Sequence, residues 1–265
     1  MLKLYSLIVV GFWILMMVFL VQREILPEMV PVRSGYQAVL SDLGETPRRE
    51  KMRIHFHGQS LGTSWTEMKR TGEGYRIIQH VKFSTDSERT LADGPIGTSF
   101  LQLLGLQAES RVIQEIGSDF QLRSVQVQFR LGGMEGQVDG VVEGHRMRLI
   151  GGMKGESVQE SFVDVPKGML WGNHLSPLHG IGRLRVGATS RFGSVDPMTR
   201  VSTVYTTQVL ERLTPVAWEG GMMDVFKVQV TSRMSEWFLE ITEDGTVLRQ
   251  DGPMGLSMVR ESLGK

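Results

Sequence analysis

Apolar residues are distributed along this chain in two regimes. From Leu4 to Val21 (LYSLIVVGFWILMMVFLV) they form one run bracketed by Lys3 and Arg23, and beyond Tyr36 they alternate with polar residues. About twenty apolar residues rising ~1.5 Å each match a hydrocarbon core of ~30 Å, so the first regime predicts one membrane-crossing helix. The run is long for a signal peptide, and Val21-Gln22-Arg23-Glu24 offers no small-x-small cleavage site, so the segment is expected to stay as an anchor. Residues 1–24 then form the anchor with a short cytoplasmic head, 25–35 a linker containing Pro27 and Pro31, and 36–265 the remaining domain. So short a head favours the amino terminus inside and the domain outside. The expected location is a bacterial inner membrane, crossed once, with the carboxy-terminal domain in the periplasm.

The second regime reads as strand after strand. Met52 to His57 alternates, Gly58 to Gly62 turns the chain into Thr63–Met68, and Gly72-Glu73-Gly74 turns it again into Tyr75–Val81. Gln121 to Leu131, Gly136 to Val142 and Arg146 to Ile150 continue the pattern. Further strands are predicted at Met198–Leu210, Asp224–Ser232 and Ser235–Thr242, the last followed by a Glu243-Asp244-Gly245-Thr246 turn into Val247–Gln250. Period two with glycine turns is the mark of an antiparallel meander. Only Gly97 to Gln107 suggests a short helix, and it reads equally as a buried strand. Pro166 to Gly182 has no clean period and is rich in Gly, Pro, His and Trp, which predicts an irregular connection near 166–182.

The fold class is therefore mainly β: an amino-terminal transmembrane helix, then a curved antiparallel sheet or open β-barrel with one or two short helices. With so little helix to cover it, a long sheet removes its apolar face and its edges from water by curling.

Composition narrows the function. The chain has 29 basic and 29 acidic residues, giving no net charge, and the signs are mixed, so nothing suggests a nucleic-acid footprint. There is no cysteine. That excludes disulfides, thiolate zinc sites, cysteine nucleophiles and a lipid-modified cysteine. The 31 glycines are scattered, as many tight turns require.

Three stretches carry a resemblance. HFHGQSLGTSWTEMKRTGEGYRIIQHVKF is similar to an opening meander with a G-x-x-x-G turn, a strand and a G-x-x-Y turn. WFLEITEDGTVLRQDGPMGLSMVRES resembles a closing pattern in which D-G-x-V-L-R leads into P-x-G-L and a final Arg-Glu. Between them lie Leu184-Arg185-Val186-Gly187 and Phe192-x-x-x-Asp196-Pro197. Together, over most of Tyr36 to Glu261, they resemble DUF3108-like envelope proteins and the extension that precedes the transglutaminase-like domain of some membrane-anchored bacterial proteins. Both look related to the periplasmic lipoprotein-carrier (LolA/LolB-like) fold. The resemblance implies a curved sheet in the envelope and brings no catalytic residues.

The candidate chemistries are thin. His55 and His57, two apart on a predicted strand, would share a face as metal ligands do, but no third ligand has a readable spacing and alternation alone explains them. No G-x-S-x-G elbow accompanies Ser64 or Ser190. Asp139, Glu143, Asp164 and Asp196 fall on predicted turns, where Asp is expected. Gly132-Gly133 and Gly151-Gly152 do not continue into a phosphate loop. Met222, Met223, Met254 and Met258 suit adaptable apolar surfaces that pack the core or receive an acyl chain. Trp171, His174, Leu178 and His179, in the irregular connection, are the candidate surface for a ligand or partner. No catalytic, cofactor-binding or metal residue is expected. The reading is a non-enzymatic binding or scaffolding module that holds an apolar ligand such as a lipid chain or docks an envelope protein. The alternatives are a structural accessory with a filled barrel, or an enzyme whose site has no recognisable motif.

Overall fold

The computed structural model describes residues 36–83, 108–131, 133–165, 169–171, 184–195, 202–218, 221–232 and 235–261, together with Met16. The anchor expected within 1–24 lies outside these residues apart from Met16, as does the short helix expected at Gly97 to Gln107. Among the described residues no helix is long and apolar enough to cross a membrane.

Among the described residues the alternation of the sequence becomes a single fifteen-stranded sheet. Eight strands form the first meander: β1 (Arg48–Phe56), β2 (Gln59–Thr71), β3 (Gly74–Phe83), β4 (Ala108–Gly117), β5 (Leu122–Leu131), β6 (Met134–Glu143), β7 (Arg146–Met153) and β8 (Gln159–Asp164). After β9 (Met169–Trp171), a second meander runs through β10 (Thr189–Val195), β11 (Ser202–Trp218), β12 (Gly221–Thr231), β13 (Glu236–Thr242), β14 (Val247–Asp251) and β15 (Leu256–Arg260). The spatial order is β8 through β1, then β15 down to β9, so the first and last strands meet mid-sheet and β8 and β9 are its ends. All pairings are antiparallel except β9 with β10. Curvature brings β9 within 8 Å, between Cα atoms, of β5, three strands in from the opposite edge.

One face of the sheet is the core. Met68, Ile77, Val112, Val125, Val127, Met147, Leu149 and Val163 form an apolar cluster in the first meander. Leu40 and Leu43, in and just after the short helix α1 (Tyr36–Ser41), are buried in the same cluster. Close approach is obligatory at Gly136, where an added Cβ would lie 2.3 Å from the Phe129 ring. In the second meander Val209, Val225, Val228, Leu239 and Ile241 are buried. β11 changes register between Leu213 and Val216, around Pro215, which has no N–H for the ladder.

The β1:β15 seam combines two kinds of contact. On the inner face Met52, Ile54 and Met258 are almost fully buried, and the Arg260 guanidinium meets Glu50 at 3.3 Å with side chains only 7% and 4% exposed. Arg48 donates to Glu50 at 3.0 Å and to Thr246 Oγ1 at 3.0 Å, tying the start of β1 to the β13–β14 turn. In that turn burial pushes the Asp244 carboxyl up, but hydrogen bonds from Thr242 and Thr246 outweigh it and leave the carboxyl below its ordinary value. On the outer face Glu261 accepts from Lys51 at 2.6 Å and pairs with Arg53.

Several expectations are corrected. The pair His55 and His57 does not share a face: the register shifts between Ile54 and His55, and His57 leaves the strand at φ +48° to begin the turn, its amide bonded to the Gly255 carbonyl. Asp139 is not in a turn but within β6, and Asp164 ends β8. The connection near 166–182 contains β9, which pairs with β10. Of the methionines expected on apolar surfaces, Met258 is core, whereas Met222 and Met254 are exposed.

Glu50→Gln leaves the Arg260 charge buried without a counter-charge and is expected to cost about 3 kcal/mol. Arg53→Gln, on the exposed side of the same seam, is expected to cost under about 1 kcal/mol. Urea titration of both variants checks this, and equal losses would contradict the assignment.

Candidate functional site

The outward face of β4 to β7 forms a groove of about 700 Å³, lined by Glu109, Arg111, Gln128, Arg130, Glu135, Gln137, Asp139, Ile150, Gly152, Lys154 and Val158 among others. Register explains why residues so far apart in sequence meet. Arg111 lies opposite Gln128, Gln128 opposite Gln137, and Gln137 opposite Gly152. This row is the floor. At Gly152 the β7–β8 loop runs alongside: an added Cβ would sit 3.2 Å from the Ser157 carbonyl oxygen, a tight contact, and 3.7 Å from the Val158 Cα. That loop closes one end of the groove.

One wall is a chain of paired charges. Arg130 donates to Glu135 at 2.9 Å through Nε, Lys154 reaches the other Glu135 oxygen at 3.2 Å, and Arg130 lies 3.8 Å from Glu109. Hydrogen bonds from Arg130, then Lys154, hold the Glu135 carboxyl below the usual carboxylate range. Glu109 also bonds His80 Nε2 at 2.6 Å, and the Trp65 indole donates to His80 Nδ1 at 2.9 Å. Because an indole N–H only donates, Nδ1 accepts and the ring hydrogen belongs on Nε2, pointing at Glu109. The opposite wall holds Ile150 and Asp139, whose two oxygens accept from Gln126 at 2.9 Å and Gln137 at 2.8 Å. Every carboxylate of the groove thus has a donor. Arg111 differs: it is exposed, and no carboxylate among the described residues is bonded to it.

The residues singled out from sequence lie elsewhere. Trp171 ends β9, at the opposite end of the strand order from β8, while His174, Leu178 and His179 lie outside the described residues. Among the described residues no three His, Asp or Glu side chains are grouped to hold a metal ion. Sequence reasoning missed the groove because its residues come from four strands, one of them, β4, not anticipated. The available signal was the outward set Gln126, Gln128 and Arg130, which recurs across the hairpin as Glu135, Gln137 and Asp139.

No family model matches the chain, and no curated protein matches it. Among solved structures it is similar to a β-barrel-like protein of the domain of unknown function DUF1849 from Brucella abortus. The identity is 8%, the TM-score 0.50, and the match covers 81% of this chain and 94% of that one. A DUF1089 family protein from Pseudomonas aeruginosa matches at 13% identity and a TM-score of 0.38, covering 70% and 87%. The first likeness supports a β-barrel-like fold. It does not extend to DUF3108-like or LolA/LolB-like proteins in particular.

Since the folded Glu135 value lies below the unfolded one of ~4.3, its contribution to stability is complete above that value and is lost as pH falls through the folded value. Carbon-detected NMR titration should place the Glu135 midpoint below that of an unperturbed glutamate, and Arg130→Gln should move it upward. An unchanged midpoint in that variant would contradict the pairing.

Proposed function

We propose that this chain is a non-enzymatic binding module, tethered to the bacterial inner membrane by residues 4–21 with its β-rich domain in the periplasm, and that its ligand lies in the β4–β7 groove. The tether rests on the uninterrupted apolar run, and the envelope setting on the sequence resemblance. One observation carries the ligand site: an outward concavity whose floor is Arg111, Gln128, Gln137 and Gly152 and whose three wall carboxylates are each engaged by a donor of the protein. Such a surface presents hydrogen-bonding groups at little electrostatic cost to a polar ligand. The inner face at α1 is a poorer candidate for a lipid chain, because Leu40 and Leu43 are themselves buried against it.

Binding is favoured over catalysis by how the carboxylates are used. A general acid near neutral pH needs its pKa raised, whereas Glu135 is shifted the other way and is engaged by two cations. Glu109 is held between His80 and Arg130.

The test is amide NMR of the full chain in detergent micelles, titrated with lipid and polysaccharide extracts of bacterial envelopes. Shifts are expected at outward positions between Glu109 and Val158, with Leu40, Met68 and Ile77 still. Shifts centred on those inner residues, or none with either extract, would overturn the reading.

A further inference from the structure

The groove's chemistry defines the class of ligand, an inference that rests on its being the binding site. We propose that it takes a linear oligosaccharide carrying an isolated carboxylate, laid across the strands with the acid on Arg111. Three features of the groove support this.

The floor supplies one guanidinium and two primary amides in register, Arg111, Gln128 and Gln137, on successive strands. Strands lie ~4.8 Å apart, so the row from Arg111 to Gly152 spans about 15 Å perpendicular to them. Guanidinium and amide groups offer planar pairs of donors, and amides also accept, which matches neighbouring hydroxyls and N-acetyl groups along a sugar chain. Gly152 leaves the far end without a side chain, and Ile150 and the exposed Val158 border it as surfaces for the C–H face of a pyranose ring.

The charge pattern then selects the ligand. Glu109, Glu135 and Asp139 in the walls oppose a polymer that is anionic at every unit, such as a nucleic acid. Arg130 and Lys154 are committed to Glu135, which leaves Arg111 as the groove cation to which no described carboxylate is bonded. One cation among neutral hydrogen-bonding groups suits one carboxylate among neutral sugars, held by a charge-assisted, bidentate contact.

The row also continues beyond the groove. Arg111 lies opposite His80, and His80 opposite Trp65, so a half-buried indole stands two strands further along the same line. An aromatic ring there extends the surface for a longer chain.

The experiment is calorimetric titration of the full chain in micelles with hyaluronan tetrasaccharide, whose two carboxylates are separated from each other by an N-acetylated neutral sugar, and with tetra-N-acetylated chitotetraose, an uncharged tetrasaccharide. Wild type is expected to bind the acidic tetrasaccharide about tenfold more tightly than the neutral one. Arg111→Gln should remove that preference, so that the variant binds the two tetrasaccharides with equal affinity. Gln128→Trp, an outward β-compatible substitution that fills the floor, should abolish both bindings at an unchanged melting temperature. Equal affinity for the two tetrasaccharides in wild type, or a preference that survives Arg111→Gln, would overturn the carboxylate assignment and leave the groove standing. Binding unaffected by Gln128→Trp would overturn the groove itself. Binding of neither tetrasaccharide would overturn the saccharide class. Inorganic phosphate displacing the acidic tetrasaccharide at equal concentration would mark Arg111 as a general anion contact, and also overturn the proposal.

Discussion

The architecture depends on the pairing of the first strand with the last. Without the β1:β15 seam the chain would be two separate meanders, each with another exposed edge. The seam has an apolar interior in Met52, Ile54 and Met258, and a buried charge pair in Glu50 and Arg260. A buried pair is weak evidence for stability, since desolvation offsets much of its attraction. Its stronger role here is register: β15 displaced by one residue would point Arg260 to the outer face and Val259 to the core. Closing a loop of this length adds little entropy beyond that of a shorter one, because the cost rises only logarithmically, but it makes the topology slow to search.

The two faces of the sheet divide the work. The inner face holds the core, which Leu40 and Leu43 of the α1 segment join. The outer face carries cross-strand ion pairs from Glu261 with Lys51 and Arg53 at the seam to Glu135 with Arg130 and Lys154 at the groove. Each exposed pair contributes little to stability. Their consequence is to neutralise the outer surface, so that a guanidinium outside the pairing, Arg111, acquires chemical meaning.

Local alternation made most of the hairpins legible. β1, β2, β3, β5, β6 and β7 follow from period two and glycine turns, as do β12, β13 and β14. β4 was missed because its inward positions are Ser110, Val112, Gln114 and Ile116, with fully buried Gln114 interrupting the apolar set and outward Ile113 blurring the other face. β15 is short and follows a Pro253–Gly255 turn that reads as loop. The strand order was beyond reach, since nothing in a hairpin states which distant strand completes the sheet. The groove was illegible for the same reason. Trp171 and its loop neighbours drew notice through residue type, whereas Gln128 and Gln137 are ordinary strand residues until register sets them side by side.

Hydrogen exchange resolved by residue tests the seam most directly. The Glu261 amide bonds the Lys51 carbonyl, so by alternation the next amides that bridge the seam are those of Arg53 and Val259 and of His55 and Ser257. If β1 and β15 are paired at mid-sheet, the amides of Arg53 and Val259 should exchange together, at the slowest rates in the domain, and those of β8, at the sheet's end, should exchange fastest among the strands. Rapid exchange at β15 beside slow exchange at β1 would contradict it, because the chain's two ends would then not be closing one sheet.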